Sequence, residues 1–204
     1  MGDLVCLVAT FGEDGRVGRV VGPVVAAGAM SGTAQPVLRW DGGTLRPWTA
    51  DDVPVLVEAY ADAAIRRWHA QTLDAAEALD WVAARAAGWA AETRADWAVV
   101  LDGAVAGRAG LRVVDLAEGS AEVAYWVLPS ARGRGVAPRA VAVLTDCAFA
   151  LGLHRLDLRH AAANEASCRV AERSGYPLEG TARSSALHED GWHDMHVHAR
   201  LAPG

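Results

Sequence analysis

No lysine occurs in this chain of 204 residues, and arginine supplies all 19 of its basic groups. Against 25 acidic residues these leave a formal charge of −6 at pH 7, a poor balance for a nucleic-acid binder, which needs surplus cations to neutralise phosphate. No nucleic acid is expected as a partner. Cysteine is scarce too: Cys6, Cys147 and Cys168 are odd in number and show no CxxC spacing, which argues against a disulfide framework or a zinc knuckle. A reducing compartment suits such a chain, and the expected location is cytoplasmic. No apolar run approaches the roughly 18 residues that a spanning helix needs. The run at residues 4–9 is soon followed by Glu13, Asp14, Arg16 and Arg19, so no membrane association is expected. Also missing are the GxxxxGK[ST] loop of nucleoside-triphosphate sites and a GxGxxG with an acidic residue some 20 positions later.

What is present reads as one well-buried domain. Hydrophobic residues make up 52% of the chain and the mean hydropathy is slightly positive; the length suffices for a sizeable core. Residues 1–43 are taken as an N-terminal extension of uncertain structure, because their many Gly and Val show no period. From Thr44 the pattern firms. A short strand over 45–48 precedes a helix near 50–61, where Thr49 and Asp52 have capping-box spacing. Thr72 is placed to cap a longer helix through about residue 92, with Leu73, Ala76, Leu79, Trp81, Val82 and Ala86 as its apolar stripe. The period then changes to two, giving strands over 97–101, 105–114 and 121–128, the first two joined at Asp102-Gly103. A helix over 137–151 ends at Gly152, a strand covers 153–159, and Asn164 caps a helix through about 173. Two closing strands, 176–188 and 192–200, meet at Asp190-Gly191.

The most informative residues are Arg132-Gly133-Arg134-Gly135-Val136-Ala137, between the strand ending at Leu128 and the helix that follows. Glycines let the backbone turn tightly, Pro138 costs little in a first helical turn, and the N–H groups of Arg134, Gly135, Val136 and Ala137 are free to face an anion. The helix dipole favours negative charge at the same place, and Arg132, Arg134 or Arg139 add to it. An ordinary strand-to-helix turn uses similar residues, so the turn alone indicates only a phosphate-bearing ligand.

Taken together the motifs are more specific. Arg132-x-x-Gly135-x-Ala137 resembles the pyrophosphate motif of the GNAT superfamily of N-acetyltransferases. Leu45-Arg46-Pro47-Trp48, Ala121-Glu122-Val123-Ala124-Tyr125-Trp126-Val127, Asn164-x-x-Ser167-x-x-Val170-x-Glu172-x-x-Gly175-Tyr176 and Leu178-Glu179-Gly180 resemble the RimJ/RimL-like subfamily of ribosomal-protein N-terminal acetyltransferases. The resemblance implies an α/β (α+β) fold over 44–204: a mixed, mostly antiparallel sheet, splayed between its fourth and fifth strands and flanked by helices. It implies acetyl-coenzyme A, or another acyl-coenzyme A, as co-substrate, with no metal expected. It further implies that Trp126, Val127 and Leu128 offer backbone to the pantetheine arm, that Arg132, Gly133, Arg134, Gly135, Val136 and Ala137 hold the pyrophosphate, and that Asn164 contacts the arm.

Acyl transfer to an amine needs a neutral nucleophile, and a carboxylate can take its proton directly or through water. Glu122 is the expected base, since its place in an apolar strand resembles that of the glutamate base of related histone acetyltransferases; a solvent-facing or Arg-paired glutamate is the simpler alternative. Ser167 is the expected proton donor to the departing thiolate, and strand N–H groups near Val127 would polarise the thioester carbonyl for direct attack through a tetrahedral intermediate. Cys168 as an acyl-carrying nucleophile has no evident base. His188, His193, His196 and His198 could group around a metal, but are expected to edge the acceptor cleft with Asp194. The acceptor is a primary amine, either a protein N-terminus or a small molecule, which the acidic balance would help attract; a homodimer stays open. A non-catalytic acyl-coenzyme A sensor or scaffold is the alternative function.

Overall fold

The computed structural model describes residues 21–69 and 71–204. Cys6 and the apolar run at 4–9 lie outside the described residues, as does the first part of the expected extension. The strands are β1 (Leu38–Trp40), β2 (Gly43–Pro47), β3 (Ala95–Leu101), β4 (Ala104–Asp115), β5 (Ser120–Val127), β6 (Arg155–Ala161), β7 (Leu178–His188) and β8 (Gly191–Leu201). They form one sheet in the order β1-β2-β3-β4-β5-β6-β8-β7. Every neighbouring pair is antiparallel except β5 and β6, which run parallel. That parallel pair requires a crossover, and the helix α4 (Val136–Ala150) supplies it. The remaining helices are α1 (Val53–Ala61), α2 (Ala63–His69), α3 (Ala75–Ala90) and α5 (Glu165–Arg173).

Alternation along the strands sends side chains to two cores. Trp97, Val99, Leu111, Val123, Leu156 and Leu158 pack with Ala140, Val141, Leu144 and Ala148 of α4 on one face. Ala98, Trp126 and Leu128 point the other way and pack with Trp48, just after β2, and with Leu56, Tyr60, Ile65 and Trp81 of the early helices. The small Ala98 leaves room there for indoles: Trp48 meets Trp81 edge-on with centroids 5.5 Å apart and Trp126 at 6.2 Å. At the β3–β4 hairpin both Asp102 and Gly103 have positive φ, the mirror-image turn that matches strand twist.

Several local expectations shift. The long helix begins at Asp74, whose carboxylate accepts from Glu77 N at 2.8 Å while Glu77 bonds back to Asp74 N. This reciprocal cap outcompetes Thr72. The buried face is accordingly Ala78, Trp81, Gly88 and Trp89, and Leu79, expected inside, is 50% exposed. A separate helix, α2, follows α1 where none was expected. Asp62 breaks the first helix with extended backbone and its side chain accepts from Ile65 N at 3.0 Å, starting the next. Residues 21–43 also join the domain: Val25 and Met30 are buried, Val24 and Val25 bond to Ala117 and Leu116, and Glu92 receives Gly28, Met30 and Ser31 N–H groups.

Candidate functional site

Parallel pairing of β5 with β6 covers only Ser120–Val123 against Arg155–Leu158. Beyond it β5 stays on β4 as far as Val127 opposite Gly107, while β6 stays on β8 as far as Ala161 opposite Met195. The two strands therefore part, and residues 124–127 present an edge with no strand on it. This is the expected splay, shifted by one in strand number because β1 precedes it. Two cavities open into the gap. One, of about 510 Å³, runs along Trp126 and Val127 to the turn at Arg132, Gly133, Gly135, Val136 and Ala137, and back along α5 through Asn164, Ser167, Arg169 and Arg173. The other, of about 240 Å³, lies on the far side of the gap. They share Trp68, His69, Tyr125, Asn164 and Ser167.

The backbone of the turn has the form that suits an anion. Gly133 and Gly135 have φ of +76° and +71°, a region that side chains with a Cβ rarely enter. Among the described residues, the N–H groups of Gly133, Arg134, Gly135, Val136 and Ala137 donate no backbone hydrogen bond, and α4 starts immediately behind them. Convergent free donors at a helix N-terminus suit a phosphate. Arg132 is partly committed, with Nε on Val127 O at 3.1 Å and Nη2 on Asp62 Oδ1 at 3.0 Å. At the start of α5, Asn164 Oδ1 accepts from Ser167 N at 3.1 Å, which leaves the Asn164 amide group out of that bond.

The smaller cavity has a strongly cationic wall. Arg85, Arg94, Arg108, Arg112 and Arg159 line it, and among the described residues no Asp or Glu does. Two carboxylates stand behind the wall. Asp96, 1% exposed, pairs with Arg108 through Nε at 2.6 Å and lies 3.6 and 3.9 Å from the Nε atoms of Arg85 and Arg94. Glu122 bonds to Arg112, its cross-strand neighbour. The acidic balance of the whole chain thus reverses inside this cavity.

At the junction, His69 and Tyr125 have shifted proton equilibria. Burial, assisted by the Arg108 and Arg112 charges, lowers the His69 imidazole to about 4, so it is neutral at pH 7. Burial raises the Tyr125 phenol to about 12, offset only in part by the nearby Ser167 side chain. Tyr125 therefore keeps its proton. For His69 the consequence for stability has a definite sign: an unfolded imidazole protonates near pH 6.5, whereas the folded one resists until about 4. Its contribution is complete above pH 6.5 and is lost as the pH falls toward 4, by at most on the order of 3 kcal/mol. Urea unfolding at stepped pH should show His69→Gln losing less stability than the parent across that window; an equal loss would contradict the assignment.

The model of the family described as Acetyltransferase (GNAT) domain matches residues 44–177. The chain belongs to the GNAT acetyltransferase family. Among curated proteins, it is 34% identical to the ribosomal N-acetyltransferase YdaF of Bacillus subtilis (strain 168) over 104 residues, 50% of this chain and 56% of that protein. It is also 34% identical to the N-acetyltransferase YjcK of the same organism over 85 residues, 41% of this chain and 47% of that one. The matches span about half the length of these relatives. Among solved structures, Mycobacterium smegmatis RimJ in complex with CoA-disulfide superposes with a TM-score of 0.75 at 25% identity, covering 82% of this chain and 86% of that one. RimL, a ribosomal alpha-N-protein acetyltransferase in complex with coenzyme A, gives a TM-score of 0.76 at 19% identity, covering 81% and 98%. The latter likeness is one of fold.

Within this GNAT frame, the structure gathers nine of the expected ligand residues on the larger cavity: Trp126, Val127, Arg132, Gly133, Gly135, Val136, Ala137, Asn164 and Ser167. Two lie elsewhere. Leu128 is buried in the helix-side core, its N–H bonded to Ala106 O at 2.9 Å. The Arg134 side chain turns outward to Asp102 at 2.8 Å, though its N–H belongs to the turn. Glu122 lines neither cavity and stands one bond behind the smaller one through Arg112. Cys168 lies on α5, its Sγ 3.7 Å from Glu172, and burial with the Glu172 charge raises its thiol, which suits a nucleophile poorly. His188 does edge the smaller cavity, stacked on His193 at 4.7 Å. The arginine wall, His69 and Tyr125 were not singled out from sequence. Tyr125 sat inside a quoted motif and its alternation with Trp126 was the available signal; the arginines come from α3, a loop, β4 and β6, which only the sheet brings together. No helix among the described residues is long and apolar enough to cross a membrane.

Proposed function

We propose that this chain transfers an acetyl group from acetyl-coenzyme A to a primary amine that carries an anionic group close by. The observation that carries the reading is the meeting of two unlike cavities at Tyr125 and Ser167, one ending on free turn N–H groups and the other on arginines. The co-substrate supplies an acyl group activated as a thioester. Residues 133–137 fit its pyrophosphate through five N–H groups, with Arg132, Arg169 and Arg173 adding positive charge. The open edge of β5 fits the amides of the pantetheine arm as an added strand would, and Asn164 offers its amide from the opposite side.

Proton movements follow from the junction. Ser167, with the protonated Tyr125 beside it, is placed to donate to the departing thiolate. The arginines disfavour an ammonium and pair with a carboxylate or phosphate on the acceptor, so the amine is delivered closer to its neutral form. Glu122 takes the amine proton through water from behind Arg112. A cavity of about 240 Å³ is smaller than the ~300–1,000 Å³ of sites that enclose whole drug-sized ligands, so it admits a small amine or the first residues of a protein N-terminus. The cytoplasm, where acetyl-coenzyme A and reduced cysteines coexist, is the matching location.

Thiol release across a panel of amines, matched with and without a neighbouring acidic group, tests this reading. Turnover should favour the acidic members; coenzyme binding with no release from any amine would leave a sensor or scaffold instead. Glu122→Gln should slow turnover by ~10²-fold, the usual weight of a general base, while acetyl-coenzyme A affinity stays unchanged. Unaltered turnover would remove Glu122 from the proton path.

A further inference from the structure

Behind the junction, four metal-ligating side chains converge from three elements: His160 on β6, His196 and His198 on β8, and Cys168 on α5. Their ligand atoms all lie within 4.8 Å of one another. The hydrogen bonds of two of them determine their tautomers. His160 Nδ1 is 2.8 Å from Ala161 O and His198 Nδ1 is 2.9 Å from Tyr176 O; a carbonyl only accepts, so each Nδ1 carries the hydrogen. Both neutral rings then present bare Nε2 lone pairs, and these face each other at 3.2 Å. The ring centroids are 5.1 Å apart, so the rings lean together at their Nε2 ends. Two lone pairs at that distance repel unless a cation lies between them.

A proton would bridge that pair and do nothing for the rest of the cluster. His196 brings a buried Nδ1 without a hydrogen-bond partner, and Cys168 contributes a thiol. We infer that His160, His196, His198 and Cys168 form a structural site for a zinc-class divalent metal ion. At Zn–N lengths of about 2.0–2.1 Å, tetrahedral nitrogens are about 3.3 Å apart, close to the His160–His198 spacing; His196 and Cys168 close in by side-chain rotation. The backbone carbonyls of Ala161 and Tyr176 are the outer partners that orient metal-bound imidazoles. On binding, the Cys168 thiol releases its proton to solvent and its sulfur bonds to the metal, leaving Glu172. Four protein ligands leave no open position, so the site is a staple and not a reaction centre. It fastens α5, which carries Asn164 and Ser167 into the cavities, onto β6 and β8. Acyl transfer itself needs no metal, and the inference does not rest on the proposed activity.

The test is titration of the chelator-stripped full chain with zinc, followed by calorimetry and thermal unfolding, and with cobalt, followed by its absorption spectrum. One zinc per chain should bind and raise the Tm, and cobalt should show tetrahedral bands with a thiolate charge-transfer band. Because replacing buried His160 or His198 risks the fold, Cys168→Ser and His196→Gln are the main variants: each should weaken zinc at least tenfold, and Cys168→Ser should abolish the charge-transfer band. His193→Ala, in the separate group of His188, Asp190 and His193, should leave the stoichiometry at one. No zinc effect on Tm, zinc affinity unchanged in both main variants, or zinc binding lost in His193→Ala would each overturn the inference.

Discussion

Asp96→Ala is expected to lower the melting temperature by about 6–20 °C. The carboxylate is 1% exposed on β3 and serves as counter-ion to Arg108, whose side chain is 8% exposed, with Arg85 and Arg94 at longer range. Burial disfavours the charged guanidinium, and the charge and hydrogen bond of Asp96, together with Tyr60, outweigh that cost and raise its proton affinity. Removing the acid strands that cation among Trp81 and Tyr60, and breaking a buried pair from one side costs about 3–5 kcal/mol. For a domain of this size each kcal/mol moves the Tm by about 2–4 °C. Calorimetric unfolding checks it, with Asp96→Asn as the milder companion, since an amide still accepts from Arg108. A Tm within about 2 °C of the parent in the alanine variant would show that Arg108 finds water or another partner and that the cationic wall does not depend on Asp96.

Gly135→Val should weaken acetyl-coenzyme A binding by ~10–100-fold while the unliganded fold survives. Gly135 is the N-cap of α4 at φ +71°, and a Cβ there would meet no atom within 4 Å. Space is therefore not the constraint. The left-handed backbone is, at a cost of roughly 1–2 kcal/mol for a residue with a Cβ. A β-branched residue relieves that strain by turning the peptide, which swings the 135 and 136 N–H groups off their common focus. Losing one charge-assisted hydrogen bond, worth about 1.5–3 kcal/mol, accounts for the expected loss. Calorimetric titration with acetyl-coenzyme A measures it. A dissociation constant within threefold of the parent would mean that the pyrophosphate lies elsewhere.

The turn proposed for the donor was legible in the sequence because it is local. Arg132 to Ala137 are contiguous, and the turn, its glycines and the helix behind it are decided by near neighbours. Asn164 and Ser167 were legible for the same reason, three residues apart in a helix cap. The arginine-lined cavity proposed for the acceptor was not, because Arg85, Arg94, Arg108, Arg112 and Arg159 meet only once β4 lies beside β3 and the sheet parts at β6. The same non-locality hid the sign of the charge: a net −6 chain holds a cavity lined by arginine. Thr72 misled for a different reason, since Asp74 and Glu77 cap each other and an equally plausible cap two residues earlier loses. The histidines show an intermediate case. Alternation put His196 and His198 on one face, but His160 joins them only through the β6–β8 register, and His188 and His193 belong to a separate group.

The most direct test of the account is a single turnover with isotopically labelled acetyl-coenzyme A and an acidic amine acceptor, read by mass spectrometry on both acceptor and protein. Direct transfer across the junction predicts one labelled acetyl on the acceptor nitrogen and none on the chain, which has no lysine to capture it. Label held on Cys168, or coenzyme bound with the acceptor left unlabelled, would contradict it.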